Sequence, residues 1–449
     1  MEGAAAVEED LVAAVNHGRI VALLPRAEAE SRFAPDVRHE RPEHVLLPGL
    51  VNAHTHAGMS LMRGFADDMP LERWLEERIW PAEGRLVNAE FVADGTRLAI
   101  AEMLLGGTTC FADMYYFPDV VGETAVECGI RAVVGMIAVD FPTPWASTPE
   151  EYFSKGLAVH DRFKSEPLIT TAFAPHAPYS VGDATFTRIR QLADELDVPI
   201  HTHVHETAAE VERAVRESGR RPLARLEALG LVTPALLAVH ATALLPEEIE
   251  LLARANATVV HCPRSNMKLA SGACPVAELA AAGVNIALGT DGAASNNRLD
   301  LLGELQLAAL LGKHVARDAT AVPAAAALAM ATIGGARALN LAEETGSLAP
   351  GKAADMICVR LAGPAQRPVL DPLSQLVYSA SREQVSDVWV AGHHLVADGA
   401  LVRLDARAAA ERADQWGERL KELGGATRIR PSSRSSRRWR HSGGIRTGR

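Results

Sequence analysis

Between Leu50 and Leu288 the chain alternates short apolar runs with longer stretches whose apolar residues recur at helical spacing, the mark of repeated strand–helix units. The runs are Leu50 to Ala53, Thr108 to Asp113, Ala132 to Ala138, Leu168 to Ala174, Ile200 to His205, Leu236 to His240, Thr258 to His261 and Ile286 to Leu288. Helical periodicity fills the intervals over Phe91 to Leu105, Thr185 to Leu196, Ala208 to Leu229, Pro246 to Ala255 and Val276 to Ala282. It continues over Leu299 to His314 and Pro323 to Leu339. Eight such strands in parallel close a barrel, so the pattern predicts an α/β fold of the (β/α)8 TIM type.

Both ends of the chain depart from this rhythm. Leu11 to Leu24 places apolar residues on either side of Asn16-His17-Gly18, and Val388-Trp389-Val390 and His394-Leu395-Val396 flank Ala391-Gly392-His393, so two hairpins are expected. Residues 1–48 and 342–404 are therefore expected to form one small β-sandwich around a barrel of residues 49–341. A helix over 405–424 and a tail over 425–449 follow.

Composition narrows the class. Hydrophobic residues make up 48% and charged residues 22% of the 449 positions, as in an ordinary globular enzyme. The formal charge of -11 argues against a nucleic-acid binder, although eight arginines and no acid lie between Gly425 and Arg449. No apolar run reaches membrane-spanning length and the first residues lack a basic leader, so a cytoplasmic protein with no membrane partner is expected. Cys110, Cys128, Cys262, Cys274 and Cys358 are scattered without a Cys-x-x-Cys pair and read as buried thiols.

Candidate chemistry gathers at the C-terminal ends of the strands, where barrel enzymes carry their active sites. His54-Thr55-His56 ends the first strand, and strand geometry sends both imidazoles to one face. His176 follows the fourth strand, His203 and Glu206 end the fifth, His240 ends the sixth and Asp291 follows the eighth. Imidazoles with a carboxylate suit Zn²⁺ or Fe²⁺ with a position left open for water. Thr170 to His176 holds no lysine that could bridge two ions, so one divalent metal per chain is expected. Spacing alone leaves the ligand on the fifth strand open, because His201, His203 and His205 share a face. Asp113 and His261 also lie near strand ends, without an assigned role.

The segments HTHAGMSLMRG, APHAPYS, HTHVHET, LLAVHAT, PRSNMKLASG and LGTDGAASNN, in this order, resemble the methylthioadenosine/S-adenosylhomocysteine deaminases of the amidohydrolase superfamily. The resemblance implies that His54, His56, His203 and Asp291 hold the metal, zinc ahead of iron. It further implies Glu206 as proton shuttle, His240 as the group that polarises the attacking water, Asp291 as its proton acceptor, and Glu83, His176 and Glu206 as substrate contacts. The implied activity is hydrolytic deamination of an adenosine-type nucleoside, with a small-molecule partner, no nucleic acid, and self-association into a homo-oligomer left open. A guanine or pterin deaminase, an s-triazine hydrolase, and a barrel that serves only as a binding module are the alternatives. Relatives often carry an arginine on the third strand for the 5′ substituent, whereas this chain reads Val133-Val134-Gly135-Met136-Ile137. An apolar 5′ group, with methylthioadenosine ahead of S-adenosylhomocysteine, is expected on that ground.

Overall fold

The computed structural model describes residues 7–423. Eight strands form one parallel sheet in sequential order: β4 (Leu50–Thr55), β5 (Thr108–Asp113), β6 (Arg131–Ala138), β7 (Ile169–Pro175), β8 (Ile200–Val204), β9 (Leu236–His240), β10 (Thr258–His261) and β11 (Asn285–Leu288). The strands anticipated from the apolar runs agree with these to within a residue or two. Where β11 returns to β4, the side chain of Asn52 links the two. Its amide donates to Thr290 Oγ1 at 2.8 Å and its oxygen accepts from the Thr290 N–H at 2.9 Å, while the Asp291 N–H donates to the carbonyl of His54 at 3.0 Å.

Small apolar side chains fill a continuous cluster that includes Val51, Ala53, Cys110, Ala112, Val133, Ala172, Val239, Val260 and Ala287. The barrel strand missing from it is β8, whose alternate positions are His201 and His203. Polar side chains occupy that stretch of barrel because it faces the site, and the apolar periodicity of the strand is sacrificed accordingly. All five cysteines are buried and unpaired by disulfides.

The chain ends build two antiparallel sheets. One pairs β1 (Leu11–Asn16) with β2 (Arg19–Pro25), and the other runs β15 (Ala400–Leu401), β14 (His393–Ala397), β13 (Val385–Val390), β12 (Met356–Arg360) and β3 (His44–Pro48). Ile20 packs with Ala354, Met356, Cys358 and Trp389 between them. Both hairpin turns use left-handed backbone, at His17-Gly18 (φ 47° and 76°) and Ala391-Gly392 (φ 46° and 76°), which the twist of a two-residue hairpin requires. Arg131 fastens this part to the barrel. Its guanidinium, on a side chain 4% exposed, lies 2.9 Å from Asp355, which is fully buried and also accepts the Ala391 N–H at 2.7 Å.

Two stretches read as single helices are broken. Ala208–Ser218 ends on Gly219 at φ 72°, and Pro222 starts a second helix, Pro222–Ala228. Thr332 likewise leaves helical geometry between Ala324–Met330 and Ile333–Ala338. The expected C-terminal helix spans Ala406–Leu423 and rests on Ala89–Leu105, with the Trp416 indole donating to Asp94 at 2.8 Å. The arginine-rich tail of residues 425–449 lies outside the described residues. Among the described residues no helix is long and apolar enough to cross a membrane.

Candidate active site

A cleft of about 750 Å³ opens at the C-terminal ends of the barrel strands, and His56, Glu83, His176, His203, Glu206, His240 and Asp291 all line it. Of the residues singled out from the sequence for metal or substrate, only His54 is missing from that lining, because it lies fully buried beneath the floor.

The floor is a knot of ring nitrogens and one carboxylate. His54 Nε2 stands 3.2 Å from His203 Nε2 and 3.5 Å from Asp291 Oδ1, and His56 Nε2 is 3.2 Å from the same oxygen. Neighbours fix which nitrogens point inward without a proton. His203 Nδ1 donates to the carbonyl of His176 at 2.7 Å and His56 Nδ1 donates to the carbonyl of Met114 at 2.5 Å. His54 Nδ1 meets His201 Nε2 at 2.9 Å. In His56 and His203 the Nε2 thereby keeps its lone pair. Such lone pairs crowded with a carboxylate repel unless a cation lies among them, and outer partners of this kind are how proteins orient metal-binding imidazoles. Burial holds His54 and His203 below the usual histidine range, in the neutral form that ligates. The donor set therefore fits a single divalent ion.

Local backbone explains the convergence. The pairing of β4 with β5 slips register between Asn52 and Thr55, the kind of bulge that re-aims side chains at a barrel rim. Gly289 and Gly292 let the end of β11 press against this strand. A Cβ at Gly289 would stand 2.8 Å from His54 Cβ, and one at Gly292 would stand 3.1 Å from His56 Cβ. His240 (φ 75°) and Asp291 (φ 63°) both occupy left-handed backbone, strain of the sort that gathers at functional sites.

Around the floor stand groups that can move protons. Glu206 is 5% exposed and its carboxylate lies 3.7 Å from His240 Nε2. Burial, with Asp291 and Glu210 nearby, pushes Glu206 well above the carboxylate range, so its acid form is available. Burial pulls His176 and His240 down to about 3. Desolvation would raise Asp291, but the imidazoles of His54 and His56 beside it hold it well below the ordinary value. Its other oxygen accepts from Ser265 at 2.6 Å and Ser295 at 2.9 Å. Glu83 is buried on the opposite wall, accepts the Tyr115 hydroxyl at 2.8 Å, and is lifted to about 7 chiefly by burial.

Of the three histidines expected on one face of the fifth strand, the structure sends each to a different task. His203 faces the cluster and His201 braces His54. His205, at φ 52°, leaves the strand, and its Nε2 accepts the Leu223 N–H at 3.1 Å. Asp113 accepts from Thr55 Oγ1 at 2.9 Å and the Ala57 N–H at 2.6 Å, gripping the chain on both sides of His56. His261 is buried with both ring nitrogens unpartnered and is absent from the cleft lining. Sequence reasoning missed several supports: Tyr115 for Glu83, Ser180 at 2.9 Å from His176 Nδ1, Ser265 for Asp291, and Asn266 at 3.0 Å from His240 Nδ1. Ser265 and Asn266 stand in the PRSNMKLASG segment and Ser180 in APHAPYS, so the signal was present in the motifs without a role attached.

The model of the amidohydrolase family matches residues 45–395. A protein of Teredinibacter turnerae named 5-methylthioadenosine/S-adenosylhomocysteine deaminase is 51% identical over 406 residues, covering 90% of this chain and 92% of that protein. One of Saccharophagus degradans with the same name is 47% identical over 402 residues, covering 90% of each. The solved structure of an adenosine deaminase from Xanthomonas campestris with bound zinc superposes with a TM-score of 0.93 at 53% identity, covering 94% of this chain and 96% of that one. A zinc complex of atrazine chlorohydrolase from Arthrobacter aurescens superposes with a TM-score of 0.85 at 26% identity, covering 91% and 95%. By its motifs, its barrel and these likenesses, the chain belongs to the amidohydrolase family.

Proposed function

We propose that this enzyme hydrolytically deaminates the purine ring of an adenosine-type nucleoside, namely 5′-methylthioadenosine, S-adenosylhomocysteine or adenosine, releasing ammonia and the inosine analogue. The observation that carries the reading is the pairing, across one cleft, of a cluster fit for a metal with a buried carboxylate, Glu83, whose environment suits sugar hydroxyls. His54, His56 and Asp291 converge as one group, and His54 and His203 with His240 as another that shares His54. In the proposed reading His54, His56, His203 and Asp291 would hold one divalent ion and His240 stands beside it, zinc as in the Xanthomonas structure, with iron suited to the same donors. When bound, the ion supplies Lewis-acid activation of water.

The protein's own groups account for the remaining chemistry. Asp291 takes the proton lost as water adds to the ring carbon that bears the amino group. Glu206 delivers a proton to the neighbouring ring nitrogen, which interrupts aromaticity. The proton held by Asp291 then passes to the amine, the carbon–amine bond breaks, ammonia leaves, and the proton of the added hydroxyl returns to Glu206 as the carbonyl forms. His240, with Nδ1 held by Asn266 and Nε2 turned toward Glu206, orients the attacking oxygen. Glu83 accepts from the ribose hydroxyls and His176 contacts the base. The division into a barrel over 49–341 and a terminal β-sandwich over 1–48 and 342–404 belongs to the same reading, since the second unit lends the cleft no lining residue. An s-triazine or guanine hydrolase has no sugar for Glu83 to hold, and a barrel without catalysis has no use for Glu206 beside His240.

The test is ammonia release from a panel of methylthioadenosine, adenosine, S-adenosylhomocysteine, 2′-deoxyadenosine, adenine, guanine and an s-triazine. Ribonucleosides should lead. Faster turnover of a free base or a triazine than of any ribonucleoside would overturn the reading.

A further inference from the structure

Beyond Trp80 and Tyr179 the cleft continues into a side hollow of about 330 Å³ that shares Leu71, Leu75, Trp80 and Tyr179 with it. Its far wall is the helix Ala208–Ser218, which presents Glu210 and Arg213 three residues apart on one face. The Arg213 guanidinium lies over the Tyr179 ring, 5.4 Å from the centroid, and one of its nitrogens is 3.3 Å from Glu72 Oε1. Glu72 is half exposed, so this ion pair binds the arginine weakly and engages one nitrogen of a five-donor fork.

Glu210 is in the opposite situation. The residue is 5% exposed, and one carboxylate oxygen accepts the Glu206 N–H at 2.8 Å, yet the other oxygen is buried without any partner. An acceptor left unsatisfied in a buried place costs stability and marks a position where a ligand can donate. The hollow thus offers a cation donor and an orphan carboxylate oxygen on adjacent turns of one helix. Glu72 and Glu76 add two more acids, so a phosphate tail would meet three carboxylates against one arginine. A group that carries an anion and a cation together matches the hollow better.

We propose that this hollow seats the α-amino-acid end of a thioether nucleoside, with Arg213 pairing its carboxylate and the orphan oxygen of Glu210 accepting from its ammonium. The proposal rests on the nucleoside reading above. The reach is right, because Trp80, at the mouth of the hollow, and Glu83, at the sugar, are three residues apart on the helix Trp80–Leu86. Side chains so spaced are about 5–6 Å apart, a distance that the thioether arm of a homocysteine spans from the 5′ carbon. Arg213 follows the fifth strand, so it supplies from another element the charge that Val133 to Ile137 of the third strand lack. S-adenosylhomocysteine is then a substrate alongside methylthioadenosine rather than a poor relation of it.

The experiment compares wild type with Arg213→Ala on methylthioadenosine, S-adenosylhomocysteine and two analogues of the latter, one lacking the carboxylate and one lacking the amine. In Arg213→Ala the ratio of kcat/KM for S-adenosylhomocysteine to that for methylthioadenosine should fall about tenfold or more, chiefly through KM, with partial recovery in Arg213→Lys. Removing the carboxylate should cost wild type the same factor and cost Arg213→Ala little more, whereas removing the amine should cost both alike. Calorimetric binding of S-adenosylhomocysteine to the metal-loaded Glu206→Gln protein reads the hollow without turnover, and should weaken by the same factor when Arg213→Ala is added. If wild type deaminates no nucleoside, the functional reading fails, and calorimetry still judges the hollow. An unchanged substrate ratio with unchanged binding in Arg213→Ala, or an equal cost of carboxylate removal in both proteins, overturns the proposal.

Discussion

Replacing Glu83 with alanine tests the nucleoside reading most directly, because the effect can be sized from the surroundings of the carboxylate. Glu83 is 6% exposed, and the Tyr115 hydroxyl takes one of its roughly four acceptor positions, which leaves enough for two sugar hydroxyls. A hydrogen bond to a charged group is worth about 1.5–3 kcal/mol. Two of them lost in the transition state amount to about 3–6 kcal/mol, or about 10² to 10⁴ in kcat/KM. Glu83→Ala should lose this factor on adenosine, while on 2′-deoxyadenosine it should lose only the part belonging to the remaining hydroxyl. The preference of wild type for the ribose form should therefore shrink in the variant by about one hydrogen bond's worth, roughly tenfold to a hundredfold. The assay follows the absorbance change on conversion of adenosine to inosine for both nucleosides in both proteins, with thermal melts to show that the variant folds. A ribose preference in Glu83→Ala equal to that of wild type would refute the assignment, whatever the overall loss of activity.

Four further outcomes are expected. Glu206→Gln should keep its metal, by elemental analysis, and lose orders of magnitude in kcat, since the amide cannot deliver the proton; loss of metal would make Glu206 a ligand instead. His203→Ala should fall well below the one metal per chain expected of wild type and lose activity with it, and two tightly held ions in wild type would defeat the single-site reading. Asn266→Leu preserves size but releases His240 Nδ1, so kcat should drop about ten- to a hundredfold with KM and metal content little changed; a change confined to KM would count against an orienting role. Arg131→Met leaves the buried Asp355 carboxylate uncompensated and should cost about 3–5 kcal/mol in urea unfolding. A cost near zero would show that the ion pair does not fasten the terminal sheets to the barrel.

The alternation of apolar runs and helical periodicity was enough to place all eight barrel strands, because each strand is a local pattern and a parallel barrel buries both faces of it. The histidines and acids at strand ends were legible for the same reason: the fold places every such end on one rim. What only the tertiary structure decided is which of these groups meet. His201, His203 and His205 are equivalent by alternation. Their separate fates depend on where β4 stands across the barrel and on the left-handed turn at His205, neither of which the strand's own residues encode. Nothing in the residues beside Glu83 encodes its burial, because the Tyr115 hydroxyl that donates to it comes from more than thirty positions away. Arg213 carried no signal at all in a stretch of charged helix, and it acquires one only when the fold sets it over Tyr179 beside an orphan oxygen of Glu210. Local periodicity is written in neighbouring residues, whereas contacts across a closed barrel depend on register, bulges and closure summed over the whole sheet, and those exist only once the chain has folded.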